Sequence, residues 1–213
     1  MIKQIFNLIT APFIKYKTYI LITIVIFIIS SMYGSFKVSN ITPEEVLSIS
    51  EELLYSTFIE NPFNDFIFRI FGSSIFWLIL IRNILVMVIV LYGSLITIGI
   101  VGVIAIISNG HITGLALNVM TSASELPMHK IVLGGILPHG IFELPAFFLA
   151  CSLGLYAGAE LIRAVFKKGR FRFIFLLKHF SAILVKVIIP LLIAAAFIET
   201  YITPIIFEYI LGI

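Results

Sequence analysis

Long apolar runs separated by short polar segments dominate this chain. The clearest runs cover residues 19–36, 136–162 and 180–206, and they contain few charged side chains or none. Each run is close to or above the roughly 20 residues that an α-helix needs to cross the hydrocarbon core of a bilayer. The pattern therefore predicts membrane-spanning helices.

A further apolar region, residues 75–108, is too long for one ordinary span and too short for two spans joined by a real loop. The tripeptide Tyr92–Gly93–Ser94 offers a tight break in its middle. We favour two helices hinged near Gly93, which gives five spans in total. The alternative is one long tilted helix and a second element within residues 111–135, where the turn-rich segments 109–111 and 122–127 could bound a re-entrant or interfacial piece.

Charged residues are distributed unevenly among the segments that join these spans. The N-terminal segment and residues 163–178 together carry nine of the 14 Lys and Arg residues and no acid, whereas residues 35–71 carry six acids and two basic residues. The positive-inside rule then places the N-terminus and the basic loop 163–178 in the cytoplasm, and the acidic loop 35–71 outside. Five spans satisfy this arrangement and place the C-terminus outside.

The acidic loop 35–71 is expected to contain a helix. Thr42 is a suitable N-cap, Pro43 suits the first helical position, and Glu44 and Glu45 are acids in the first turn. Apolar residues between 46 and 58 then supply one face of an amphipathic helix. We predict that this helix lies on the outer membrane surface.

The composition agrees with a single membrane domain over residues 1–213. Hydrophobic residues make up 61% of the chain and charged residues 12%, with a mean hydropathy of +1.17. Soluble domains are about 45–50% apolar and roughly 25% charged, so this chain cannot present a soluble surface and its expected surroundings are lipid. The net charge is only +3, and nucleic acid is not an expected partner. The single cysteine, Cys151, is interpreted as a small core residue.

Charged side chains inside an apolar span are costly, so each one needs an explanation. Glu160 and Arg163 lie three residues apart near a helix end and are expected to pair or to reach the interface. Lys186 lies within about two turns of the same interface and can reach it as well. These three residues need no functional role.

The segment Leu137-Pro-His-Gly-Ile-Phe-Glu-Leu-Pro-Ala146 is different. His139 and Glu143 are four residues apart, so they share one helical face and can share a proton or an ion. Pro138 can open a helix at its first turn. Pro145 perturbs the same turn and frees backbone carbonyls, because it has no amide hydrogen. Broken helices of this kind often mark ion or substrate sites in membrane proteins.

Two other polar features extend this candidate site. Glu199 lies in the last span, and Arg82–Asn83 lies inside an apolar run. If Arg82 neutralises Glu143 or Glu199, these residues form one buried network. We predict a buried proton or ion site composed of His139, Glu143, Glu199, Asn83 and Arg82, with purely structural hydrogen bonding as the alternative.

Small residues recur at every fourth position after His139 and predict close helix packing. These positions are Ala146, Ala150, Gly154 and Gly158. Further glycines at positions 93, 99 and 102 suggest a second glycine face, which favours a homo-oligomer or association with other membrane proteins.

No catalytic residue, metal site or cofactor is predicted. His139 and Glu143 have a spacing that zinc can use, and His111, His129 or Glu199 could complete a ligand set. However, a His-x-x-x-Glu spacing alone is weakly specific, and the sequence contains no HExxH, GxSxG or glycine-rich phosphate-binding motif. We therefore expect no enzymatic activity.

The segment 137–146 resembles the signature of the stage II sporulation protein M family of integral membrane proteins. The order and spacing of further residues agree over roughly residues 76–204, including Arg82–Asn83, Asn109–Gly110–His111 and Glu199 before Thr203–Pro204. The resemblance implies a domain of about five spans and identifies His139, Glu143, Asn83 and Glu199 as motif positions. The founding member belongs to a membrane complex that directs peptidoglycan degradation during sporulation, and this chain resembles a broader branch of the family rather than the sporulation protein itself.

Two functional interpretations follow for this multi-pass protein of the cell membrane. The favoured one is a non-enzymatic scaffold or subunit of a membrane or envelope complex. The alternative is a small proton- or ion-coupled transporter or channel with His139 and Glu143 in its path. Transporters usually show internal repeats around the site, and the lack of a convincing repeat favours the scaffold.

Overall fold

The computed structural model describes residues 2–38, 62–72, 74–124, 126–166 and 170–211. These residues form helices and no strand, and five of the helices are long and apolar enough to cross a membrane. The predicted all-α transmembrane bundle of five spans is therefore confirmed. In chain order the described helices are α1 (Ile2–Lys15), α2 (Lys17–Val38), α3 (Pro62–Phe71), α4 (Ile75–Ile96), α5 (Ile100–Ser124), α6 (Met128–Phe166), α7 (Phe173–Tyr201) and α8 (Thr203–Leu211).

The helices extend beyond the apolar runs that predicted them, with one exception. The predicted last span, 180–206, is divided, because α7 ends at Tyr201 and α8 begins at Thr203. Pro204 accounts for the break, since it has no amide hydrogen to donate to the carbonyl of Thr200. The helix α1 was not predicted.

The break between α4 and α5 lies at residues 97–99, so the predicted hinge at Tyr92–Gly93–Ser94 is wrong by about one turn. The Thr97 amide still donates to the Gly93 carbonyl at 2.9 Å, and the backbone then turns with positive φ at Ile98 (59°) and Gly99 (88°). A β-branched residue is rarely found in this left-handed region. The sequence therefore gave little indication of a turn at Ile98.

The turn-rich tripeptide 109–111 lies inside α5, so the predicted re-entrant boundary there is wrong. The Asn109 amide group donates to the Ala105 carbonyl at 2.9 Å. Gly110 packs so closely on α2 that an added Cβ would lie 2.6 Å from the Phe27 carbonyl oxygen. Helix packing here outweighs the local turn preference. The second turn-rich segment, 122–127, does contain the end of α5 at Ser124.

The two loops are described only in part. The amphipathic helix predicted to start at Thr42 lies outside the described residues, while α2 continues to Val38 and Pro62–Phe71 is helical. The loop predicted at residues 163–178 is shorter in the structure, because α6 continues to Phe166 and α7 begins at Phe173.

The central helix of the bundle is α6, which contacts α2, α4, α5 and α7. Most residues of its middle turns are buried, and Cys151 is among them, as expected for a small core residue. The outer surfaces of the other helices are apolar and exposed, which suits helices surrounded by lipid. Examples of exposed residues on these surfaces are Leu21, Ile29, Ile96, Ile104 and Phe197.

Glycines bring the helices into close contact at two places. Between α2 and α5, an added Cβ at Gly34 would overlap the His111 carbonyl, and one at Gly114 would overlap the Ser31 carbonyl. Around Ser94 of α4, an added Cβ at Gly154 would lie 2.5 Å from the Ser94 Cβ, and one at Gly102 would lie 2.9 Å from its Oγ. Such contacts let backbones approach closely where lipid supplies no hydrophobic driving force.

These contacts change the interpretation of the glycine positions. Ala146, Ala150, Gly154 and Gly158 are all buried inside the chain. Gly93, Gly99 and Gly102 face Val101, Gly154 and Ser94 of the same chain. The proposed surplus glycine face is therefore used within one bundle, and the sequence argument for a homo-oligomer loses its basis.

Candidate functional site

Three ligating side chains meet where α6 and α7 pack together. His139 and Glu143 lie one turn apart on α6, and Glu199 lies near the end of α7. One nitrogen or oxygen atom of each side chain lies within 4.8 Å of the corresponding atoms of the other two. All three side chains are partly buried. We refer to His139, Glu143 and Glu199 as the His–Glu–Glu site.

The local structure of α6 before the site is irregular. Residues Val132–Ile136 form a π-helical turn, in which the Leu137 amide donates to the Val132 carbonyl. Pro138 follows at once, and its missing amide would have served the fourth preceding carbonyl in a regular helix. Pro138 therefore follows a widened turn within α6 and does not open a separate helix as predicted. The inserted residue of a π-turn also changes which face of the helix His139 and Glu143 occupy.

The helix α7 also contains a π-turn followed by a proline. Residues Leu184–Ile188 form a second π-helical turn, the Ile189 amide donates to the Leu184 carbonyl, and Pro190 follows. Both helices that carry the His–Glu–Glu site therefore contain a π-turn directly before a proline. Single π-turns inside α-helices are frequently found at functional sites.

Two threonines on the C-terminal side of Glu199 complete the surroundings. The Thr203 hydroxyl lies 3.4 Å from His139 Nδ1, and Thr203 is buried. The Thr200 Oγ1 atom is buried without a hydrogen-bond partner among the described residues. The sequence did not indicate the contact of Thr203 with His139, since that contact depends on how α6 and the start of α8 pack.

Arg82 and Asn83 lie on α4, and both are partly buried. Gly154 of α6 meets Ser94 of α4, and four residues further along the chain in each case Gly158 meets Ile98, in the turn that follows α4. The two helices therefore run in the same direction. Counting back eleven residues from the contact of Gly154 with Ser94 leads to Glu143 on α6 and Asn83 on α4, so we expect these two residues at a similar depth.

The expected neutralisation of a site carboxylate by Arg82 is not seen. Within the described residues, neither Glu143 nor Glu199 forms an ion pair with Arg82, whereas Glu160 and Arg163 pair at 2.7 Å as predicted. The other two histidines considered as ligands lie elsewhere. His111 packs 5.7 Å from the Tyr33 ring, and His129 is exposed at the start of α6.

Two carboxylates and an imidazole at this separation have clear chemical preferences. At 4.8 Å, two ionised carboxylates repel by about 3.5 kcal/mol with an effective dielectric constant of about 20. A proton shared between them, or a cation bound by them, removes this repulsion. Carboxylate oxygens and an imidazole nitrogen are also ligands that Mn²⁺ and Zn²⁺ accept. Of the ligands considered from sequence, Glu199 is the one that joins His139 and Glu143.

The fold and the site define a multi-pass helical membrane protein with an intramembrane cluster of one histidine and two glutamates. The sequence model of the family described as stage II sporulation protein M matches residues 18–204, and the chain belongs to this family. An uncharacterized protein from Methanocaldococcus jannaschii is 32% identical over 197 residues, which covers 92% of this chain and 99% of the relative. No solved structure matches the chain. The resemblance identified in the sequence is confirmed.

Proposed function

We propose that this protein is a non-enzymatic membrane subunit in which His139, Glu143 and Glu199 hold a divalent cation between α6 and α7. The observation that carries the proposal is the convergence of three ligating atoms within 4.8 Å from two helices. A cation bound there would fix α7 against the central helix. A firmly connected bundle of this kind suits a scaffold or subunit of a membrane or envelope complex.

The donor set is what supports a bound cation. A shared proton and a divalent cation both relieve the repulsion between the carboxylates of Glu143 and Glu199. A divalent cation in addition uses the imidazole of His139 as a third ligand. Binding free energy of a cation that binds only the folded state adds directly to stability.

A second candidate function is proton- or ion-coupled transport, and the π-turn beside the site favours it. The turn at Val132–Ile136 interrupts the regular α-helix three residues before His139, whereas the turn at Leu184–Ile188 lies toward the other end of α7. An irregular helix next to a polar site allows the local rearrangement that release of an ion requires. In this case the His–Glu–Glu site would bind its ion reversibly.

We also infer the orientation of the chain in the cell membrane from its charges. The N-terminal segment and residues 163–178 are basic and free of acids, which supports a cytoplasmic N-terminus. The five described spans then place the N-terminal end of α6 and the His–Glu–Glu site toward the outer side. That the protein also associates with other membrane proteins or with copies of itself stays a prediction.

Thermal unfolding in detergent or nanodiscs tests the proposal. Mn²⁺ or Zn²⁺ should raise the melting temperature of the wild-type protein and a chelator should reverse the effect, while Glu199→Gln should lose most of the response. Glu208→Gln is the matched control, because Glu208 is an exposed acid on α8, and it should respond like the wild type. Equal responses of Glu199→Gln and wild type would contradict the proposal.

Flux measurements separate the two candidate functions. In proteoliposomes, a scaffold should show no transport of protons, Mn²⁺ or Zn²⁺ above that of empty liposomes. Flux that is lost in Glu143→Gln, with the variant still folded, would favour the transporter.

A further inference from the structure

A groove of about 240 Å³ lies between α1 and α7, at the end of the bundle opposite the His–Glu–Glu site. Apolar side chains line its walls, among them Leu8 and Pro12 of α1 and Ile183 and Val187 of α7. Polar groups line the rest of the groove: Lys15, Tyr16, His179 and Lys186. The groove therefore combines an apolar wall with a cationic rim.

Contacts among three of these residues fix the chemistry of the rim. The Tyr16 hydroxyl lies 3.0 Å and the Lys15 ammonium lies 3.3 Å from the same atom, His179 Nε2. Burial raises the pKa of the Tyr16 hydroxyl, so the phenol stays protonated and can donate. A lysine ammonium only donates, so Nε2 is the acceptor and has a single lone pair. Lys15 has three donors, and its contact with Nε2 uses at most one of them, so its ammonium can also bind an acceptor that enters the groove.

The two helices of the groove provide no acid to balance these cations. The helix α1 contains no Asp or Glu, and the only acid in α7 is Glu199, which lies 20 residues from His179 and thus about 30 Å away along the helix. Glu160 of the neighbouring α6 already pairs with Arg163 at 2.7 Å. Lys15 and Lys186 therefore give the groove a positive charge that its own helices leave uncompensated.

We infer that this groove binds an anionic phospholipid, with the phosphate at Lys15 and Lys186 and the upper acyl chain along the apolar wall. Lysines near a membrane surface attract anionic lipid head groups, and their apolar stems can lie along the acyl chain. A soluble phosphate would satisfy the cations but would leave the walls formed by Leu8, Ile183 and Val187 without an apolar partner. The combination therefore favours a lipid.

Native mass spectrometry of the intact protein tests this inference. Phosphatidylglycerol and phosphatidylcholine with identical acyl chains are added in equal amounts, and the bound lipids are counted. The wild type should retain phosphatidylglycerol preferentially. A double variant, Lys15→Gln with Lys186→Gln, should lose about thirtyfold in this preference, since each lysine contributes about fivefold, or about 1 kcal/mol. The matched control is Lys37→Gln at the other end of α2, where Lys37 lies over the Tyr33 ring, and it should keep the wild-type preference.

Each other outcome would overturn the inference. Equal retention of both lipids by the wild type would show that the groove does not select a phosphate-bearing anion, and this comparison needs no variant. An equal loss in Lys37→Gln would indicate a general effect of net charge. Displacement of phosphatidylglycerol by an equal concentration of soluble glycerol phosphate would assign the groove to a soluble phosphate compound instead of a lipid.

Discussion

Without a divalent cation, the Glu143→Gln variant should be at least as stable as the wild type. With a divalent cation, it should be less stable than the wild type. The ligating atoms of Glu143 and Glu199 lie within 4.8 Å of each other. Two ionised carboxylates at this distance repel by about 3.5 kcal/mol with an effective dielectric constant of about 20. Glutamine keeps the shape and most of the hydrogen bonding but removes this repulsion. With a chelator at neutral pH, the variant should therefore unfold with a free energy equal to the wild type or up to about 3 kcal/mol higher.

Addition of the cation should reverse this order. The wild type gains about 2.7 kcal/mol when the free cation concentration is 100 times its dissociation constant. The Glu143→Gln variant has lost one of the three ligands and should gain much less. The assay is unfolding in nanodiscs followed by fluorescence of the single tryptophan, Trp77, with chelator and with Mn²⁺ or Zn²⁺. The exposed control Glu208→Gln should follow the wild type in both conditions.

One result would refute this reasoning. If Glu143→Gln is less stable than the wild type in both conditions, and the cation shifts neither protein, then Glu143 serves in a structural hydrogen-bond network. The His–Glu–Glu cluster would then stabilise the bundle through hydrogen bonds alone, and the cation proposal would fail.

Three further predictions concern the fold. Ile98→Asn should raise the free energy of unfolding by about 1 kcal/mol, because asparagine tolerates the left-handed backbone (φ 59°) that costs isoleucine energy; no change, or a loss, in chemical denaturation would contradict this. Gly114→Ala should lower the free energy of unfolding by about 1–3 kcal/mol, seen as a lower melting temperature, because the added Cβ overpacks against α2. Gly140→Ala should be nearly neutral, because its added Cβ meets nothing closer than 3.7 Å. Equal effects of the two substitutions would contradict the packing argument. In a cysteine-free background, a cysteine at Asp65 should react with an impermeant thiol reagent from outside intact cells, and one at Arg170 only after permeabilisation; the opposite pattern would reverse the proposed orientation.

The sequence was sufficient for the class of fold because lipid imposes a simple rule. Apolar runs near 20 residues identified the spans, and the two-helix interpretation of residues 75–108 held in number. The predicted position of the break was wrong, because the turn has positive φ at Ile98, and a β-branched residue is rarely found in that region. Gly158 of α6 packs closely against the Ile98 carbonyl, so the turn lies in a contact between helices, and such a contact cannot be predicted from a single segment of sequence.

For the site, helical spacing correctly suggested that His139 and Glu143 share a face, since both lie on one helix. The approach of Glu199 depends on how α6 and α7 pack, and the sequence could only offer it as one possible partner. The π-turn before His139 was not foreseen, although Pro138 and the preceding glycines, Gly134 and Gly135, are the kind of residues that accommodate one.

Direct measurement of bound metal tests the central claim most simply. The purified protein is dialysed against limiting Mn²⁺ or Zn²⁺, and metal per chain is measured by elemental mass spectrometry. We predict one tightly bound ion per wild-type chain and its loss when His139, Glu143 and Glu199 are replaced together by glutamine, with Glu208→Gln retaining it. Wild-type protein without bound metal, or a triple variant that binds as much as the wild type, would contradict the proposed cation site.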